Sequence, residues 1–485
     1  MANGLPSSPS PEGTDSTRFT PVKLDQEDAE KPPRRDDDSS KDPFLVAFSG
    51  DDDPRSPRSM SNARKWLIVI VASTTIVTLG LSLFVIGLGL GPMFLAPLSE
   101  FYGRRPVYII SMFLFVIWII PTALAQNLAT IMISRFLTGF VGSAFLSVAG
   151  GTVGDLFDKH SLGAPMMIYT ASPFLGPELG PIVGGFINYN VNWRWSFYVL
   201  IMWSFFQWVA LCFFVPETYH PAVLRSHARK LRKETGDDRY YAAIEKLDRS
   251  IIQTIIRSCY RPFLLLFFEP MCLCLCLFCA VLLGVLYLFF EAFPLIFENN
   301  HGFNLWQVGL SFLGLTVGMI LGVSTNPLFQ KNYMKLLARH EAETGEKGGS
   351  EPEYRLPPAV VGAPLVTIGL MWFSWTTYAS VHWIVPIIGS TIFAIGLVMV
   401  FSGAFTFLVD AYPTYAASAL AANSFARSMF AGAFPLFGTP MYKNLGYEWA
   451  SFLLTMITVC LLPFPYIFYK YGKRIRQRSK FATSI

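Results

Sequence analysis

The sequence predicts an all-α protein that crosses a membrane many times, folded as two related bundles of helices. Three observations carry that expectation. Only 15% of the 485 residues are charged while 52% are hydrophobic, against roughly 25% charged in a soluble domain. The apolar residues fall in successive runs, each near the ~20 residues that cross a hydrocarbon layer as a helix. One long polar segment divides these runs into two sets, and short motifs in one set are echoed in the other.

Residues 1–65 are rich in Ser, Pro, Asp, Lys and Arg, too polar to bury a core, and are expected to form a disordered tail. The run from Trp66 to Leu98 has 33 residues, about 50 Å as one helix. That is too long for a single span and too short for two spans with a turn, so we expect one span preceded by a truncated helix. Further spans are predicted near Val107–Ala125, Leu128–Gly150, Ala164–Ile187, Trp195–Val215, Met271–Ile296, Trp306–Phe329, Ala359–Tyr378, Trp383–Val409, Ala416–Met441 and Trp449–Tyr469. The total is eleven complete spans. They divide into a first half-bundle over residues 66–215, a linker over 216–262, a second half-bundle over 263–469 and a basic tail over 470–485.

Lys and Arg concentrate in the linker, at Arg104 and Arg105, from Lys331 to Arg339 and in "KYGKRIRQR" from Lys470. The positive-inside tendency places all four in the cytosol. Arg64 and Lys65 abut the other end of the first run, so both ends of that run carry a cytosolic mark. The net charge of +5 is modest and sits in loops and tails, which suits membrane topology and not nucleic-acid binding.

Seven cysteines give no extracellular disulfide framework. Cys272, Cys276 and Cys279 share one helical face and Cys274 points away, so "MCLCLCLFC" reads as soft packing, and no metal site is expected. No P-loop, nucleophile–base motif or dinucleotide turn occurs in a fitting context. Neither enzymatic catalysis nor ATP as an energy source is expected.

"APLSEFYGRRP" from Ala96 puts a carboxylate, a glycine and two arginines between oily runs, and "NPLFQKNYMK" from Asn326 is its degraded counterpart. "GDLF" at Gly154 and "VDAYP" at Val409 likewise close equivalent helices. With "RFLTG" at Arg135, "GPELGPIVGG" at Gly176, "LVDAYPTYAASALAANSFARS" and "EYRLPPA", the chain after Asp42 resembles the major facilitator superfamily, within it the fungal drug:proton antiporter group. The resemblance implies two six-helix half-bundles, a ligand site near the midplane exposed alternately to each side, and proton-driven export. Glu100, Gly103, Arg104 and Arg105 match the family's loop between its second and third helices, though Ala96 replaces a glycine and Phe101 stands where a basic residue often sits. Arg135 and Gly139 match the fourth-helix motif. Gly176, Gly180, Pro181, Gly184 and Gly185 match the antiporter motif of the fifth helix.

Physically, Glu100, Arg104 and Arg105 are suited to a cytosolic latch, forming charge-assisted bonds to the opposite half in one state and releasing them in the other. Asp155 and Asp410 end equivalent helices and join that set. A solvated turn that only sets topology is the bland alternative. Gly176, Gly180 and Gly184 repeat every four residues and are expected to admit a neighbouring helix, with Pro177 and Pro181 allowing a bend.

Arg135 lies about seven residues into its span, roughly 10 Å deep. A cation there needs a partner, and Glu178 at a similar depth is the expected one, paired directly or through water and able to gain and lose a proton; a polar vestibule around Glu178 is the alternative. Glu291 ahead of a proline is a third proton-coupling candidate. Phe174, Tyr198, Tyr287, Phe290, Trp372 and Phe405 are candidate cavity residues for apolar or cationic ligands.

The expected function is proton-coupled export of small molecules such as drugs, polyamines, organic acids or secondary metabolites. A transporter-derived sensor, or a remnant lacking its first helix, are the alternatives. Small-molecule substrate, protons and the bilayer are the expected partners, with no other cofactor. The chain is expected to act as a monomer in the plasma membrane, with the vacuolar membrane as the second choice.

Overall fold

The computed structural model describes residues 62–156, 163–237, 239, 245, 251–344, 351–412, 415–477 and 479. The predicted tail therefore lies outside the described residues. The chain divides into two units, residues 1–67 and 68–485. Of the first, only the start of helix α1 is described.

Where one span preceded by a truncated helix is expected, α1 (Asn62–Tyr102) runs unbroken for 41 residues, through Pro92 and Pro97. Its membrane-compatible part is Gly80–Tyr102. Across the turn at Gly103, α2 (Arg104–Ala123) follows, then α3 (Leu128–Gly142) and α4 (Ala144–Leu156), which meet at Ser143 as two segments of one rod. Asn127 caps α3 by accepting from the Thr130 amide at 2.8 Å. Helices α5 (Gly163–Asn190) and α6 (Arg194–Phe214) complete the first set. The linker holds α7 (His220–Thr235), closed by Gly236 in the left-handed conformation, and α8 (Ile251–Phe268).

The second set begins with α9 (Pro270–His301). A rod of three segments follows: α10 (Leu305–Ser311), α11 (Leu313–Ser324) and α12 (Asn326–Thr344). One 3-10 turn (Pro352–Arg355) leads into α13 (Pro357–Ser374), then α14 (Ile384–Ala411), α15 (Ala416–Leu445), and the joined pair α16 (Tyr447–Leu461) and α17 (Pro463–Arg476). Among the described residues nine helical stretches are long and apolar enough to cross a membrane. The 28-residue α5 and 30-residue α15 have the length but carry Glu178 and Arg427, and they pack inside the same bundle. Of the eleven spans expected, nine therefore have both the length and the apolar composition to cross, and α5 and α15 have the length alone.

Packing explains the composition of each span. α9 is apolar on all sides because it is enclosed: Phe289 meets Phe373 and Phe393 at ring-centroid distances of 5.0 and 5.3 Å, and Phe293 meets Phe312 at 4.7 Å. α6 instead faces outward, with Phe213 and Phe214 more than 80% exposed, as an apolar exterior in lipid requires. α13 and α14 approach closely through glycines spaced by seven, Gly362 and Gly369 against Gly389, Gly396 and Gly403; a Cβ on Gly362 would lie 2.7 Å from the Gly396 carbonyl.

The two sets meet along two seams. In one, α1 lies on α15, with Gly89 against Ser428 and Gly432 against Ser82 and Ile86. In the other, α5 packs on α10 and α11.

Candidate transport site

At the basic end of the bundle the predicted latch residues form a cradle. Gly103 has φ +104°, and a Cβ there would come within 2.7 Å of the Glu217 carboxyl carbon, so only glycine fits. The Glu217 carboxylate accepts from the backbone amides of Arg104 (2.8 Å), Arg105 (3.2 Å), Thr218 (3.1 Å) and Tyr219 (2.9 Å). That ties the start of α2 to the chain leaving α6. The Arg104 guanidinium donates to Asp155 at 3.1 Å and Ser99 at 2.6 Å, and lies 4.9 Å from the Tyr219 ring centre. Arg105 donates to the Cys212 carbonyl at 2.9 Å. Glu100 is exposed and makes no ion pair with the described residues. In this conformation these bonds of Arg104 and Arg105 stay within the first half; none of them reaches the opposite half.

The second half repeats the arrangement with other residues. Arg355, just before α13, donates to Asp410 at the end of α14 at 2.8 Å and lies 3.6 Å from the Tyr333 ring centre. Both aspartates singled out in the sequence thus hold an arginine at the start of the span that precedes their own, α2 for Asp155 and α13 for Asp410. The tie to the last helix is also repeated, with its charges exchanged. Here the acid, Glu353, precedes α13, and the cation, Arg476, ends α17; Nε and one terminal nitrogen each donate at 2.9 Å. Lys473 adds a bond to Glu351 at 2.5 Å. Glu217, Arg355, Glu353 and Arg476 were not singled out in the sequence. An acid directly after a proline at a span's basic end, "VPETY", was the available signal for the first.

Deeper in, Arg135 and Glu178 make no direct ion pair. The Arg135 guanidinium faces the rings of Phe197 (4.9 Å) and Phe84 (6.0 Å), on α6 and α1. Glu178 is fully buried, and neither carboxylate oxygen has a hydrogen-bond partner among the described residues. The reason is angular. Phe174, one turn earlier on the same face of α5, stacks on Phe401 of α14 at 5.0 Å, so that face turns to the second half while Arg135 turns to α1 and α6. Glu291 accepts from Thr439 of α15 at 2.6 Å.

The antiporter motif also differs from its expected role. A Cβ on Gly176, Gly180 or Gly184 would meet nothing within 4 Å among the described residues. The close approach falls at Gly185, where a Cβ would lie 3.0 Å from the Leu305 carbonyl and 3.3 Å from the Gly309 Cα. Pro177 and Pro181 sit within a helix that remains continuous.

Of the aromatic candidates, Phe174 and Phe405 are brought together: both rings adjoin Phe401, and Arg427 of α15 lies 5.4 Å from the centre of Phe401 and 4.8 Å from that of Phe405. Tyr287 and Phe290 form an edge-to-face pair at 5.5 Å beside Val85 and Phe84 of α1. Tyr198 packs on Trp195, and Trp372 is half-exposed with its indole N–H on the Val385 carbonyl at 3.2 Å; neither joins this group. Arg427 lay inside a quoted motif but was not singled out. Its place 11 residues after Ala416, about 16 Å along α15, was the signal.

The geometry is thus a two-half helical bundle with charged groups and aromatic rings at the seam. Comparison with known proteins agrees with that reading. Relatives include efflux pump atB of Aspergillus terreus, 71% identical over 439 residues and 90% of each chain. The probable drug/proton antiporter YHK8 of Saccharomyces cerevisiae is 46% identical over 84% of this chain and 78% of its own length. The multidrug transporter mdrA of Aspergillus fumigatus is 38% identical over 93% of this chain and 78% of its own. Two solved structures share the fold: the proton:xylose symporter XylE (TM-score 0.55, 17% identity, 83% of this chain and 87% of that one) and the human organic anion transporter MFSD10 (0.54, 15%, 80% and 83%). The Major Facilitator Superfamily model matches residues 66–435, and with these relatives it establishes that the chain belongs to the major facilitator superfamily.

Proposed function

We propose that this chain exports small molecules from the cytosol in exchange for protons, with Glu178 as the proton carrier. The observation that carries the reading is the fully buried Glu178 carboxyl, without a hydrogen-bond partner among the described residues, on the α5 face turned toward the second half. An unpaired carboxylate is costly to remove from water, and a proton removes that cost. Closing the seam around Glu178 is therefore coupled to protonation, and opening it to the other side permits release. Arg427 with Phe401, Phe405 and Phe174 supplies a contact surface for an aromatic or otherwise planar ligand. The names of the relatives, efflux pump and drug/proton antiporter, support the direction and the coupling ion.

The basic end of the bundle is then cytosolic by the positive-inside tendency, and the plasma membrane is the site of action that export implies. One proton crossing 100 mV supplies about 2.3 kcal/mol, enough for a gradient of roughly 40-fold at ~1.4 kcal/mol per decade. The test is efflux by wild type and Glu178→Gln in a pump-deficient host at two external pH values. Wild type should export faster at the lower external pH, and Glu178→Gln should lose that dependence. Retained pH dependence in the variant would take Glu178 out of the mechanism.

A further inference from the structure

Beyond the ion pairs already described, the chain after α17 makes one more tie at the basic end of the second half. Ser479 is half-buried, and its hydroxyl donates to Glu269 at 2.8 Å. Glu269, only 4% exposed, precedes α9 and also accepts from the Tyr412 hydroxyl at 3.3 Å. The Ser479 amide donates to the Arg476 carbonyl at 2.9 Å, so the turn that presents Ser479 is continuous with the buried Arg476–Glu353 pair. One short stretch of chain therefore fastens α17 both to the turn before α13 and to the start of α9.

The sequence around that serine has a second property. Arg474 stands five residues before it and Arg476 three before. Basic residues at fixed offsets before a hydroxyl are what the acidic substrate cleft of an arginine-directed Ser/Thr kinase reads. Arg474 is exposed, but Arg476 is buried against Glu353. A kinase cleft and Glu353 must then compete for the same guanidinium.

We propose that Ser479 is a phosphorylation site for a cytosolic arginine-directed protein kinase, gated by the tie to Glu269. This rests on the cytosolic placement of the basic end but not on the transport mechanism. The γ-phosphoryl group of ATP passes to Ser479 Oγ as its bond to the bridging oxygen breaks; ADP leaves, and the hydroxyl proton goes to the kinase's base. The product carries nearly two negative charges, which cannot sit against the Glu269 carboxylate. Repulsion holds the tail away from α9, and the phosphate takes Lys473 and Arg474 as new partners. The untied state is thus both the better kinase substrate and the state that phosphorylation stabilises, a reciprocity that linkage requires.

The experiment uses the full chain in lipid nanodiscs with a purified arginine-directed kinase and MgATP, with peptide-resolved mass spectrometry of the phosphorylated product. Wild type should acquire phosphate at Ser479, and Ser479→Ala should lose that peptide's signal alone. Glu269→Gln replaces a charged acceptor with a neutral one and should raise the initial rate at Ser479 about fivefold. Phosphate on other residues but none at Ser479 in the wild-type protein, which needs no variant, overturns the site. Equal rates in wild type and Glu269→Gln overturn the gate.

Discussion

The buried Arg476–Glu353 pair should be what holds α17 against the turn before α13, and its contribution can be separated from that of its exposed neighbour. Side-chain exposure is 3% and 6% for Arg476 and Glu353, but 54% and 25% for Lys473 and Glu351. Removing one partner of a buried pair leaves an uncompensated charge, at about 3–5 kcal/mol. Removing one partner of an exposed pair costs about 0.2–1 kcal/mol. A reporter lies directly beneath: Cys272 and Cys276 are fully buried in a cluster with Leu356, Phe468 and Ile475, the residues that flank the tie. If α17 must lift for a thiol reagent to reach Cys272, labelling measures the open population. Glu353→Leu should then speed labelling of Cys272 by ~100-fold or more, while Lys473→Met should change it by no more than about fivefold, at 1.36 kcal/mol per decade. Glu353→Leu combined with Arg476→Met should return to within about tenfold of wild type, because an apolar pair replaces both charges. Labelling would be followed by peptide-resolved mass spectrometry, which separates Cys272 from the exposed Cys460. Labelling in Glu353→Leu within fivefold of wild type would refute the reasoning.

Three more outcomes follow from the geometry. Gly185→Ala should destabilise the purified protein by about 1–3 kcal/mol, since its Cβ would press on the Leu305 carbonyl, whereas Gly180→Ala, with open space around it, should be neutral or stabilising by up to ~1 kcal/mol; thermal denaturation in detergent compares them. Gly103→Ala combines a positive φ with intrusion on Glu217 and should abolish efflux, and unchanged efflux would mean that the cradle can be rebuilt around a side chain. Arg427→Gln removes the charge over Phe401 and Phe405 and should lower transport at least tenfold, mainly through apparent ligand affinity, as measured by concentration-dependent uptake into inverted vesicles.

Much of the architecture was legible in the sequence because hydrocarbon thickness imposes a length on each apolar run. The predicted Leu128–Gly150 span corresponds to α3 and α4, and Trp306–Phe329 to α10 through the start of α12. The echo of "GDLF" in "VDAYP" pointed to Asp155 and Asp410, and each holds an arginine. The site was harder for identifiable reasons. Depth along a helix placed Arg135 and Glu178 at similar levels, but depth does not give the angle around the axis, and the two face different neighbours. The sequence echo of the Arg104 loop starts at Asn326, whereas the arginine that pairs with Asp410 comes later, at Arg355 just before α13, outside that echo. Glycines spaced by four on α5 stand out in the sequence but have open space around them, whereas those spaced by four on α1, Gly87 and Gly91, press on α3, and those spaced by seven on α13 and α14 press on each other. Spacing marks a candidate face; only the partner helix decides whether that face is used.

The exchanged charges at the two ties to the last helix of each half bear on how such a molecule could be rearranged. Grafting the end of α17 onto the end of α6 would bring Arg476 to the amides of Arg104 and Arg105, a donor facing donors, and the reverse graft would set Glu217 against Glu353. The halves share a backbone plan, but their terminal helices are keyed differently. Recombination between them would preserve the shape and lose the fastening.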